Sequence, residues 1–166
     1  MSMAPTIFVS MREFLRTGQF GPVRLGDSMD VVRSFFGDPS AVGGTSRRRR
    51  TPRIWKYGGI EFHLTDDAKR VAMIFCDTFE RLNLGSTVQF DCWFFEGHPS
   101  VEAVERELSM AGIAFSRHDT PYEPATFLLR LDSGVELMFC KISDPEMWPS
   151  VPGLSVRQSA SPFCSQ

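Results

Sequence analysis

The sequence predicts an α+β fold: an antiparallel sheet with helices on one face, made of two similar α-β-β-β halves. Three observations carry that prediction. Leu25–Pro39 reads as a short amphipathic helix with both ends punctuated. Most of the chain after Pro39 alternates apolar and polar residues with the period of a strand. A second helical stripe, Val101 to Ala111, is again succeeded by a strand-like hairpin.

Taken in order, Ser10-Met-Arg-Glu13 has the form of a capping box, with Ser10 as cap and Glu13 reaching back. Met11, Phe14 and Leu15 form a small apolar face, and Gly18 ends the turn. Gln19–Leu25 is a short extended lead-in whose Pro22 fits an edge position or a loop. In the next helix Asp27 or Ser28 can cap, because either side-chain oxygen accepts from an orphan backbone N–H. Met29, Val32 and Phe36 (or Phe35) fall on one stripe, Gly37 supplies the exit and Pro39 stops continuation. Ala41–Thr51 reads as a loop holding Gly43-Gly44 and Arg47-Arg-Arg-Arg50.

Arg53–Tyr57 is a strand with Trp55 and Tyr57 on one side, and Gly58-Gly59 is a hairpin signal. Ile60, Phe62 and Leu64 then alternate with Glu61, His63 and Thr65. Asp66-Asp67 marks a turn, and Val71–Phe75, apolar on both faces, reads as a central strand. After a break at Leu82–Gly85, Val88–Phe95 reads as one strand. Its two faces are Val88, Phe90, Cys92, Phe94 and Gln89, Asp91, Trp93, Phe95. Pro99 suits the first turn of the next helix, whose stripe is Val101, Val104, Leu108 and Ala111. Thr126–Leu131 and Val135–Ile142 make a hairpin across Asp132-Ser-Gly134. The expected organisation is one domain over residues 1–143, with halves near 10–81 and 82–143. Residues 144–166, rich in Pro and Ser, read as a tail pinned by Trp148.

At 166 residues and 42% apolar content, with 15 Phe and 3 Trp, the chain can bury a sizeable core. Eighteen basic residues against 20 acidic give none of the excess a general polyanion binder carries. No apolar run is long enough to span a bilayer, and Met1–Ser10 has no charged region ahead of its apolar piece. Cys76, Cys92, Cys140 and Cys164 show no paired spacing and read as reduced core residues, so a cytoplasmic protein is expected.

The residues spell out no catalytic chemistry. His63, His98 and His118 lack the short fixed spacing of a zinc site and read as surface histidines. Cys92 shares its face with Val88, Phe90 and Phe94, and burial makes a thiol inert. Gly43-Gly44 and Gly58-Gly59 lack the strand–loop–helix setting of a phosphate cradle. No enzyme activity, metal or cofactor is therefore expected. Arg47, Arg48, Arg49 and Arg50 are an alternative anion- or nucleic-acid-binding site, against a solvated loop as the plainer account. Trp55, Tyr57, Trp93 and Phe95 stand on strands whose other faces are also apolar. They are either covered or part of an open aromatic surface suited to binding.

The pattern Leu25-Gly-Asp-Ser, helix, Phe36-Gly-Asp-Pro39, then three strands resembles the helix-plus-three-strand module of β-lactamase inhibitory proteins and of small outer-membrane assembly lipoproteins. The resemblance covers residues 19–77, and the second half matches by element order. Small immunity proteins of bacterial toxin systems are similar in size and make-up. The resemblance implies a sheet face used for binding. The expected function is thus non-catalytic protein binding, as an immunity or inhibitor protein acting on a toxin or enzyme, with Trp55, Tyr57, Glu61, His63, Asp91 and Trp93 as partner-binding residues. A ligand- or nucleic-acid-binding module and a small hydrolase are the alternatives.

Overall fold

The computed structural model describes residues 6–76, 79, 84, 88–97, 99–119, 126–140 and 154–159. The fold is mixed α+β, with three α-helices among these residues and a sheet of eight strands. The elements are β1 (Ile7–Ser10), α1 (Met11–Thr17), α2 (Met29–Phe36), β2 (Ala41–Gly43), β3 (Ile54–Tyr57), β4 (Ile60–Leu64), β5 (Val71–Cys76), β6 (Val88–Asp91), α3 (Val101–Met110), β7 (Phe115–Asp119), β8 (Thr126–Leu131), β9 (Val135–Cys140) and β10 (Leu154–Ser159). The large sheet is antiparallel in the order β2-β3-β4-β5-β10-β9-β8-β7. No helix of the described chain is long and apolar enough to cross a membrane.

Each helix starts where a serine can satisfy an orphan N–H. Ser10 accepts from the Glu13 N–H at 3.4 Å, Ser28 from Val31 at 3.4 Å and Ser100 from Ala103 at 3.2 Å. Ser28 is the cap of α2, while the Asp27 carboxylate accepts from the Arg24 N–H at 2.9 Å. The reciprocal half of the expected capping box is replaced by another bond, since the Glu13 carboxylate binds Arg16 at 2.6 Å. Gly18 closes α1 at φ +73°, and a Cβ there would sit 2.8 Å from the Ser133 carbonyl. Phe36 faces inward and Phe35 is partly exposed, which settles the stripe of α2.

The helices cover one face of the sheet. Phe36 of α2 lies 5.7 Å from Tyr57 and 5.8 Å from Phe62, ring centre to ring centre. Phe20, in the tight turn between α1 and α2, touches Phe14, Phe36, Phe62 and Phe90. Val104 and Leu108 of α3 are fully buried in the same core as Leu129 and Leu137. Gln158 of β10 is the one buried polar side chain among the described residues. Its register partners are Ile74 and Val135, both buried, so it points into this core.

Four sequence expectations change. Residues 144–166 are not all tail: Leu154–Ser159 forms β10, between β5 and β9 near the middle of the sheet. Ala41–Gly43, expected within a loop, pairs with β3 as an edge strand. The run expected as one strand from Val88 to Phe95 ends at Asp91. There the chain turns, with Trp93 at φ 59°, into a short 3-10 helix at Phe95–Gly97. Finally β6 does not join the large sheet but pairs in parallel with β1, a strand the sequence did not announce. Trp148, His98 and Cys164 lie outside the described residues, as does the side chain of Cys140.

Candidate functional site

Directly paired residues in an antiparallel ladder point to the same side of the sheet. Ala41, Lys56, Glu61, Phe75, Arg157, Glu136, Arg130 and Ser116 are successive partners, so one residue from each of the eight strands forms a single row on the side away from the helices. Beside it stand Ile54, His63 and Met73 from one flanking row, and Met138, Leu128 and His118 from the other. No described helix packs over this outer face. Ile54, Met73, Phe75 and Met138 are half-buried, and none belongs to the core cluster or its apolar margin.

Two carboxylates organise the row. Glu136 takes one arginine on each oxygen: Arg130 Nε and Nη2 donate to Oε1 at 3.1 and 2.9 Å, and Arg157 Nε donates to Oε2 at 2.7 Å. The Arg157 Nη2 is 2.6 Å from the same Oε2. The Glu136 side chain is only 12% exposed, so two guanidiniums are fixed around one shielded charge. Glu61 repeats the pattern with a Lys56 ammonium on Oε1 and His63 Nε2 at 2.9 Å from Oε2. Burial of Glu61 would raise its pKa, but the hydrogen bonds from Lys56 and His63 outweigh it and hold the carboxyl below its usual range. Phe75 sits between the two clusters, and the His63 ring meets it edge-on at 6.2 Å.

The structure places only two of the six expected partner-binding residues on this face. Glu61 and His63 share the outer face. Trp55 and Tyr57 are on the opposite side, because Trp55 pairs with Phe62 and Tyr57 with Ile60, both core residues. Tyr57 is buried and donates its hydroxyl to the Gly37 carbonyl at 2.9 Å. Burial is the main cause that pushes its pKa up to about 12. Trp55 is half-buried against the core, with the Arg33 guanidinium 4.8 Å from its ring. Asp91 and Trp93 belong to the β1–β6 region: Asp91 Oδ1 accepts from the Trp93 N–H at 2.9 Å, and the Trp93 ring packs on Phe94 at 4.5 Å. The sequence reading missed Phe75, Arg130, Glu136 and Arg157. Their alternation is visible within each strand, but their alignment depends on β10.

Arg47, Arg48, Arg49 and Arg50 are all exposed, at the tip of the β2–β3 hairpin. Cys92 is buried, and that burial, with Glu96 beside it, raises its thiol to about 11, far from a nucleophile's range. His118 is exposed on β7, 2.7 Å from the Ser116 hydroxyl. No group of three or more His, Cys, Asp or Glu able to hold a metal ion occurs among the described residues. Comparison of the chain with models of known families, with curated proteins and with solved structures finds no match.

Proposed function

We propose that the protein is a non-catalytic binding domain that engages another protein through the outer face of its large sheet. One observation carries this reading: a row of fixed, partly exposed charges around a central phenylalanine spans the face that the described helices leave open. Paired strands hold such side chains about 5 Å apart in set directions, so a partner meets a preorganised surface. An immunity or inhibitor role against a toxin or enzyme, in the cytoplasm, is the concrete form of the proposal. A duplicated origin goes with it. The strands run β2 to β5 from one edge and β7 to β10 from the other, each set preceded by a helix. The halves would thus carry four strands each rather than three.

The test compares wild type with a His63→Ala/Phe75→Ala variant as bait for proteins from the source lysate. The protein retained by wild type is then titrated into both by calorimetry. The variant should melt as a folded protein and lose about 2 kcal/mol or more of binding free energy, some thirtyfold in affinity. Equal affinity for both baits would place the interface elsewhere.

A further inference from the structure

The arginines at the β2–β3 tip differ from most other described cations of the molecule, which have an acidic partner. Nine of the described Lys and Arg side chains have a carboxylate within ion-pair distance, the longest being Arg24–Asp27 at 4.0 Å. Arg47, Arg48, Arg49 and Arg50 have none among the described residues, although the chain as a whole carries net charge −2. These four contribute +4, so the rest of the chain carries −6.

The tip is a built turn. Ser46 and Arg49 exchange backbone hydrogen bonds at 2.8 and 3.0 Å, and Ser46 Oγ accepts from the Arg49 N–H at 3.1 Å. Below it the Arg53 N–H donates to the Gly43 carbonyl at 2.9 Å and closes the stem. Gly44, at φ +74°, lets the strands approach: a Cβ there would lie 3.3 Å from Arg53 Cβ. The fold therefore holds four like charges together at one hairpin end. Two such charges 4 Å apart repel by about 1 kcal/mol even in water, and an external anion relieves that repulsion.

We infer that the Arg47–Arg50 tip docks an acidic segment of a partner protein. Its position on the β2–β3 hairpin makes it a second contact, beyond the outer-face row. Three features favour a protein segment over nucleic acid. The cations are confined to one turn, while the net acidic remainder of the chain repels a long polyanion. Residues 44–53 contain no aromatic side chain on which a base could stack. Val42, 53% exposed on the same hairpin, offers an apolar contact that a peptide can use and a phosphate backbone cannot.

The test is fluorescence anisotropy with a short labelled oligoglutamate, set against a labelled oligothymidylate and phosphatidylserine vesicles. Wild type should bind oligoglutamate. Affinity should fall as ionic strength rises from about 0.01 M to about 0.15 M, where the screening length shrinks from about 30 Å to about 8 Å. The Arg47→Ser/Arg48→Ser/Arg49→Ser/Arg50→Ser variant should keep its melting temperature and bind about tenfold more weakly or worse. The His63→Ala/Phe75→Ala variant should bind oligoglutamate as wild type does, which separates this site from the sheet face. The inference is overturned if wild type ignores oligoglutamate, if the four-arginine variant binds it equally well, or if oligothymidylate or vesicles bind more tightly.

Discussion

The two faces of the large sheet are built from the same strands and obey different physics. On β4, Ile60, Phe62 and Leu64 point to the helices and are buried, while Glu61 and His63 between them point away and stay partly exposed. The inner face is a continuous apolar core, and its contribution grows with the area removed from water. The outer face is a line of charges whose two acidic members are each shared by two basic groups. Charge pairs near a surface add little stability, but they fix side chains in place. The core thus holds the fold, and the outer row presents a shape.

The largest effect should come from the inner face. Phe62 is fully buried and in ring contact with Phe20, Phe36 and Tyr57. Phe62→Ala should cost about 3–5 kcal/mol, read as a drop in the urea midpoint, because the cavity is walled by rings that cannot collapse into it. A loss under about 1 kcal/mol would mean that this face is not the core.

The next effect tests whether the outer row is more than decoration. Glu136→Gln removes the charge that holds Arg130 and Arg157 together and leaves two guanidiniums side by side. The expected cost is about 1–3 kcal/mol, the range for hydrogen bonds to charged groups, reduced because Arg130 is half exposed. An unchanged urea midpoint would place the pair with ordinary surface ion pairs and weaken the contrast between the faces.

How much of this contrast was legible depends on how locally it is encoded. The alternation on β4 gives both faces directly, and the stripes of α2 and α3 select Val32, Phe36, Val104 and Leu108 correctly. The side of Trp55 and Tyr57 was legible and misjudged. A two-residue hairpin at Gly58-Gly59 pairs its flanks, so Tyr57 must share a face with Ile60, and Trp55 with Phe62. The outer row was not legible, because it requires β10. The run Leu154-Ser-Val-Arg-Gln-Ser159 alternates, yet it lies in a Pro- and Ser-rich stretch, and its partners Met73–Cys76 are some 80 residues away. Local composition has no access to such a pairing. Trp93 was misplaced for the opposite reason: the strand period continues through it, while the backbone turns at φ 59° with Asp91 capping its N–H.

The smallest effect, and the sharpest test of the outer face, is the pH dependence carried by Glu61. Its carboxyl is held below the ordinary value of 4.5, since hydrogen bonds from Lys56 and His63 overcome the opposing effect of burial. A group whose pKa is lower folded than unfolded stabilises the protein above its unfolded value, and that contribution is lost as pH falls through the folded one. Glu61→Gln removes the ionisation and keeps the shape. At neutral pH the variant should be less stable by about 0.2–1 kcal/mol, the size of a partly exposed ion pair. As pH drops from about 5.5 to about 3, through the carboxylate range, wild type should lose this advantage and the two urea midpoints should converge. Convergence on acidification identifies the ionised carboxylate as the source of the stability. A gap that stays constant down to about pH 3 would mean that the variant is weakened by altered packing, and that Glu61 is not held by its two neighbours as an ion.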